Sequence, residues 1–349
     1  MAMQTIYDLT ITEMEEMLKG LGQKSYRAKQ LYSWLYRKRV QSFDEMSDLP
    51  AALIEQLKQN WIISPVKVLE KQVAKDLTAK YLFELQDGSS IETVLMHFNF
   101  GDSVCVTSQV GCNMGCSFCA SGLLKKQRDL TAGEIVGQIM YVQKELDLQQ
   151  RRVDNVVVMG TGEPFDNYDN VLDFCSVINS DLGLAIGARH ITISTCGIVP
   201  KIKEFAAAHY QYNLAISLHA PTDELRSRLM PINQAYPLDQ LMASLKDYSA
   251  GNHRRLTFEY ILLKGVNDGD QDAEKLAGLI RGMNAYVNLI PYNEVDENGY
   301  RTTDEKSALH FYDQLMKHGV KATLRSRHGD DIDAACGQLR AKHEKEKTA

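Results

Sequence analysis

From residue 103 onward, short apolar runs alternate with amphipathic stretches, and this alternation leaves few folds open to the chain. Runs over 104–110, 153–159, 190–195, 212–218, 256–263, 286–290 and 320–324 read as strands. Amphipathic helical stretches lie between most of them, at 132–146, 238–248 and 273–281 among others. Several of the strands are apolar throughout, the pattern of a sheet covered by helices on both faces. Such a succession predicts an α/β fold: a parallel barrel, or an open half-barrel, of about six βα units. Chemistry is expected at its C-terminal rim. Polar, glycine-rich clusters stand at the strand ends: Gly160-Thr161-Gly162-Glu163-Pro164, Ser194-Thr195-Cys196-Gly197, Ser217-Leu218-His219 and Pro291-Tyr292-Asn293.

Ahead of this region the texture is helical. Ile11, Met14, Met17 and Leu18 recur at helical spacing, and Leu31, Leu35 and Val40 mark a second segment. Asp48-Leu49-Pro50 predicts a cap followed by proline in the first turn of a third helix. Two β-prone runs, 80–85 and 91–96, flank Asp87-Gly88 and predict a hairpin. The expected division is a helical accessory module over 1–75, a connecting hairpin over 76–100, the barrel with a C-terminal catalytic segment over 101–339, and a charged tail over 340–349. No run approaches the roughly 18 to 20 apolar residues needed to cross a bilayer, and no export signal is visible, so a cytoplasmic protein is expected.

The net charge of −6 argues against binding a polyanion through overall attraction. A nucleic-acid site would have to be local, and residues 21–40 offer one. Lys24, Arg27, Lys29, Arg37, Lys38 and Arg39 occur there without an acid, interleaved with Tyr26, Tyr32, Trp34 and Tyr36. Cations with aromatics suit phosphate neutralisation and base stacking. The same composition also describes a helix whose aromatics pack inward under a solvated charged face.

Seven cysteines, an odd number in a chain without an export signal, favour metal or catalytic roles over a disulfide framework. Cys112, Cys116 and Cys119 follow the first strand of the α/β region with gaps of three and two residues. Three thiolates on one loop can hold three irons of a cubane and leave the fourth open to an exogenous ligand. Structural zinc is the competing reading, with Cys105 or a distant histidine completing its four ligands, although zinc motifs usually come as paired half-sites and no second Cys-x-x-Cys exists. Cys175, within a helical pattern, and Cys196, beside a rim cluster, read as small buried hydrophobes.

The Cys-x3-Cys-x2-Cys run, with Phe118 before its last cysteine, resembles the signature of the radical S-adenosylmethionine (SAM) superfamily. Further phrases narrow the likeness: Gly162-Glu163-Pro164, Ser217-Leu218-His219-Ala220, Leu229-Met230-Pro231-Ile232-Asn233, and Asp331-Ile332-Asp333-Ala334-Ala335-Cys336-Gly337-Gln338-Leu339. Over essentially the whole chain they resemble the RlmN/Cfr family of RNA adenine methyltransferases. The resemblance implies a partial (β/α)6 radical SAM barrel preceded by a small helical RNA-binding module. It implies a 4Fe–4S cluster on Cys112, Cys116 and Cys119, and SAM used twice per turnover. It carries Gly162 and Glu163 to the methionyl amino group, and Ser194, Ser217, Leu218, His219 and Asn293 to ribose and adenine.

In that family Cys336 takes a methyl group from a first SAM, and a radical made from a second SAM removes hydrogen from it. The carbon radical then adds to the base. Cys105 removes the base proton and attacks the Cys336 sulfur, while Glu92 matches a glutamate described as a proton acceptor, so two residues compete for one task. The implied substrate is an adenine of 23S rRNA, with tRNA as a second substrate in some members. An external one-electron reductant such as flavodoxin is implied, and a monomer is expected. Gly-Glu-Pro and Ser-Leu-His-Ala favour the branch that methylates carbon-2 over the resistance branch acting at carbon-8. Two other readings stay open at this stage, a zinc-stapled RNA-binding protein without activity and a radical SAM enzyme acting on a protein or small molecule.

Overall fold

The computed structural model describes residues 3–252, 254–325, 332 and 339. The chain divides into two compact units. One comprises residues up to 110 with 128–161 and 167–191, and the other comprises 111–127, 162–166 and the residues from 192 onward.

In the first unit, helix Ile11–Gly20 starts at Thr10, whose hydroxyl and backbone N–H are both tied to Glu13 in a capping box. Helix Tyr26–Tyr32 runs on into a π-helical turn, Ser33–Lys38, that ends at Arg39 in the left-handed region, with φ of 56°. The third helix, Ala51–Asn60, has Pro50 itself at the cap position. Asp48, expected to cap it, instead accepts a hydrogen bond from Trp34 Nε1 at 2.6 Å. An aromatic N–H brought into the core needs an acceptor, and Asp48 is more valuable there than at a helix end already started by proline.

The predicted hairpin is present as Ala79–Leu85 and Ser90–Phe98, turning at Gly88 with φ of 80°. Residues 66–73, grouped by sequence with the helical module, form a further strand, Val66–Val73, antiparallel to Ala79–Leu85. The meander continues through Gly101–Cys105, beside which Val153–Val158 lies parallel. Helix Ala132–Asp147 covers one face. Its buried Ile135, Ile139, Val142 and Leu146 recur at helical spacing, and Thr131 with Glu134 caps its start. Gly137 is required because a Cβ there would meet Pro65 Cγ at 2.6 Å.

The second unit holds the parallel succession Ile191–Thr195 (from Thr192 onward), Asn213–Ser217, Leu256–Leu262, Ala285–Pro291 and Ala322–Leu324, each paired with the next. Helices Val199–Ala207, Leu238–Gly251, Asp270–Leu279 and Glu305–Lys317 lie between them. Leu214, Ala215 and Ile216 are all buried although successive side chains point to opposite faces, so this sheet is covered on both sides. The α/β expectation from the apolar runs is met. Among the described residues, no helix is long and apolar enough to cross a membrane.

Candidate active site

The loop carrying Cys112, Cys116 and Cys119 is fixed by backbone geometry before any cofactor is considered. Gly111 turns it with φ of 83°, and a Cβ there would overlap the Lys125 carbonyl oxygen. Cys112 N–H donates to Leu124 O at 3.0 Å, and Lys126 N–H to Asn113 Oδ1 at 3.0 Å, closing the base of the loop. Lys126 Nζ also pairs with Asp166 at 2.7 Å. Ser117 N–H donates to Leu229 O at 2.9 Å, while its hydroxyl meets the Tyr300 hydroxyl at 2.8 Å. Gly111→Ala is therefore expected to lower the melting temperature, with roughly 1–3 kcal/mol lost to the left-handed backbone alone. It should also reduce the iron retained after anaerobic loading, measured as iron per chain.

Cys116 and Cys119 pack against an apolar cluster built on Phe118, Cys196, Ala220, Leu229, Met230 and Tyr292. Burial pushes the Cys112 thiol up to about 11, with the Cys119 thiol adding to the rise. The same causes push Cys116 higher still, burial first, then its two loop partners. Cys112 thus senses Cys119, and Cys116 senses both of its loop partners, and a cationic centre that takes their protons is what they fit. Among the described residues, no three His, Cys, Asp or Glu side chains converge as a single-ion site. The donor set suits a cubane, which spreads three sulfurs over three irons.

Around this loop the second unit supplies a polar rim. Gly162 has φ of 116°, and Glu163 behind it is buried. Its carboxylate accepts from Cys196 N–H at 2.8 Å and Phe165 N–H at 3.0 Å. Burial raises the Glu163 pKa, and these hydrogen bonds oppose the rise. Ser194 and Ser217 stand with their hydroxyls 3.4 Å apart. Leu218 N–H donates to Glu259 O at 3.1 Å, and Leu218 is wholly buried. His219 adopts a left-handed backbone with φ of 58°, and its Nδ1 accepts from Ile261 N–H at 3.1 Å. Its ring meets Phe118 edge-on at 4.9 Å between centroids. Burial, followed by the neighbouring Arg226 charge, pulls its pKa down to about 3, so the ring is neutral and its Nε2 carries the proton. Asn293 follows strand Ala285–Pro291 and is exposed.

Glu92 and Cys105 belong to the first unit. Cys105 ends strand Gly101–Cys105 and is buried. Glu92 is also buried, and its Oε2 lies 3.1 Å from Lys80 Nζ. Removing one partner from such a buried pair typically costs about 3–5 kcal/mol. Cys336 lies outside the described residues.

The aromatics of residues 21–40 do not form a stacking surface. Tyr32 and Tyr36 are core residues, and Trp34 is buried under Lys38, whose Nζ sits 3.1 Å from the ring centroid. Only Tyr26 of the four is exposed. Arg37 donates to Asp181 O, and Arg39 pairs with Asp147 at 3.2 Å. The inward-packing reading holds for the rings, and Lys24, Lys29, Arg37 and Lys38 remain on the surface.

Arg226 was given no role by sequence reasoning. It is wholly buried, donating to Cys196 O at 2.6 Å, Ser217 O at 3.3 Å and Asn233 Oδ1 at 2.9 Å. Asn233, part of the Leu-Met-Pro-Ile-Asn phrase, is in turn held by Asp223 and Ser227. The phrase therefore serves to orient a buried cation, and burial lowers the Arg226 pKa while the neighbouring Cys196, Cys116 and Asp223 oppose the fall.

A three-thiol loop surrounded by strand-end donors on an α/β sheet defines a radical SAM enzyme. Residues 106–277 match the Radical SAM superfamily, and residues 4–63 match the ribosomal RNA large subunit methyltransferase N-terminal domain. The chain is 56% identical over 347 residues to a probable dual-specificity RNA methyltransferase RlmN of Listeria welshimeri, covering 98% of this chain and 95% of that protein. It is 55% identical to the protein of the same name from Geobacillus thermodenitrificans, over 99% of this chain and 94% of the relative. A radical SAM methyltransferase from Sphaerobacter thermophilus superposes with a TM-score of 0.92 at 42% identity, covering 96% of this chain and 98% of that one. The chain belongs to the RlmN family of radical SAM RNA methyltransferases. A 4Fe–4S cluster and SAM are the cofactors of that superfamily.

Proposed function

We propose that this chain methylates carbon-2 of an adenine in 23S rRNA, and an adenine of tRNA as well, through an S-methylcysteine on Cys336. The observation that carries the reading is the three-thiol loop on a chain that matches dual-specificity RNA methyltransferases along nearly its full length. Gly-Glu-Pro at 162–164 and Ser-Leu-His-Ala at 217–220 support carbon-2 over carbon-8.

An adenine ring carbon is electron-poor and cannot displace a methyl group from SAM as a nitrogen or oxygen nucleophile would. A sulfur can, so Cys336 as thiolate takes the methyl group by displacement and releases S-adenosylhomocysteine. When bound to Cys112, Cys116 and Cys119, the cluster supplies the electron that cleaves SAM into a hydrogen-abstracting carbon radical. The chain's part is to orient SAM and to handle the proton. Gly162 and Glu163 receive the methionyl ammonium, a charge-assisted contact. Ser194, Ser217, Leu218, His219 and Asn293 surround ribose and adenine, with His219 offering the Nε2 proton that its Nδ1 contact leaves free. The S-methylene radical on Cys336 adds to the ring carbon, the adduct gives back the one electron that SAM cleavage drew, and Cys105 or Glu92 accepts the base proton. Cys105 as thiolate then attacks the Cys336 sulfur, the carbon–sulfur bond breaks, and the methylene carbon takes up a proton as the disulfide forms. An external one-electron donor of flavodoxin type and a cytoplasmic location complete the reading.

The test is anaerobic reconstitution followed by incubation with SAM, reductant and protein-free 23S rRNA or tRNA. Nucleoside mass spectrometry should find 2-methyladenosine in both. A methyl group on carbon-8 would move the assignment to the other branch, and a chain that binds no iron under these conditions would remove the reading.

A further inference from the structure

We propose that Lys80 is a positioning residue for proton removal, fixing the Glu92 carboxylate on the sheet face that carries Cys105. The inference rests on the reading above and adds a residue to it.

Strand register places the three residues. Lys80 pairs with Val94, Val94 with Cys105, and Cys105 with Val157, so Lys80 and Cys105 lie in one row across the sheet and point to one side. Glu92, two positions from Val94, points to the same side. The opposite side is the one covered by helix Ala132–Asp147: Tyr81 and Phe83 meet Tyr141 edge-on, and Thr93 donates to Gln138 at 2.8 Å. The pair therefore sits on the face away from that helix, toward the end of the strand where Cys105 stands. Glu92 is pinned through its backbone as well, its carbonyl accepting from Thr107 Oγ1 at 2.6 Å, while Gln138 grips both the N–H and the carbonyl of Thr107.

Both side chains are withdrawn from water, with Lys80 at 0% exposure and Glu92 at 4%. A buried ion pair is a poor way to stabilise a sheet, because well-packed apolar residues of similar volume do as well or better. On this face Lys80 has Val94 and Gln72 as its register partners and Glu92 has Leu82, and a charged pair so fully withdrawn from water needs a reason other than stability. Holding a proton acceptor in one place beside Cys105 is such a reason. Lys80 transfers nothing itself; it donates to Glu92 Oε2 and sets where that oxygen lies.

The experiment compares wild type, K80R and the double variant K80M/E92Q as full-length, iron-loaded protein, following melting temperature, iron content, and kcat and KM for RNA methylation. A pair that only holds the fold together would be replaced without harm by Met and Gln. The proposal expects the double variant to fold and load iron, with kcat reduced about 100-fold or more and KM for RNA unchanged. K80R, which keeps the cation, should retain kcat within about 10-fold. A double variant with kcat within a few-fold of wild type overturns the proposal. So does a folded, iron-loaded K80R that has lost as much as 100-fold, and K80R alone decides if the double variant does not fold. Wild type that loads iron yet methylates no RNA would strike at the functional reading instead.

Discussion

Cys116→Ala is expected to give a folded, colourless chain that transfers no methyl group to RNA. Its thiol packs on the apolar cluster with Phe118 and Met230, and burial holds it further above the ordinary thiol range than that of Cys112. Two remaining thiols cannot anchor a cubane that needs a protein ligand on three of its irons, so iron content should fall toward zero. The fold should survive, because the loop is fastened by contacts that do not involve Cys116 Sγ, namely Cys112 N–H to Leu124 O, Ser117 to Leu229 O and Tyr300, and Lys126 to Asp166. A separate consequence concerns stability. A centre bound only by the folded state adds its binding energy to folding. Loaded wild type should therefore melt above metal-free wild type, while Cys116→Ala should melt with the metal-free form whether or not iron is supplied. Iron assay, absorbance in the visible range and calorimetry read the three outcomes. A variant that kept a full complement of iron would show that the loop is not the anchor.

How much of this was legible beforehand depends on the kind of signal each residue gives. The parallel strands announced themselves because burial on both faces demands unbroken apolar runs, as in Leu214-Ala215-Ile216. Val66–Val73 gave no such signal. It carries Lys67, Glu70, Lys71 and Gln72 and is largely exposed, so its place in the sheet comes from pairing with Ala79–Leu85. The π-helical turn at Ser33–Lys38 was hidden for a different reason, since one added residue per turn barely alters an apolar pattern read over so short a span. Among the candidate residues, the three thiols stood out by their spacing, which still left zinc open. The residues proposed to face SAM came only through family likeness, and the structure adds what likeness could not, such as the burial that lowers the His219 pKa to about 3. Lys80 and Arg226 were invisible, because a lone cation in sequence looks like a solvated one. What distinguishes them is the partner, Glu92 across a strand register or Cys196 O thirty positions away, and a register is a property of the fold.

Cys336→Ala and Cys175→Ala, the same chemical change at two sites, should have opposite consequences. Cys175 lies in helix Tyr168–Asn179, wholly buried, with its thiol pushed far above the ordinary range by desolvation and no charged neighbour among the described residues to offset it. A thiol so placed is a small apolar filler, and its loss should cost about 1 kcal/mol of packing with methylation unaffected. Cys336, outside the described residues, is read as the sulfur that carries the methyl group, so its replacement should leave iron content and melting temperature near wild type while RNA methylation disappears. Reductive SAM cleavage should persist in that variant, because the three-thiol loop and the rim residues proposed to hold SAM are untouched. The combination matters more than the loss alone: intact cleavage without methylation separates a missing methyl carrier from a damaged cofactor site. If Cys336→Ala still methylated adenine, the methyl group would have to pass from SAM to the ring without a sulfur intermediary, and the relay would be wrong even though the enzyme class stood.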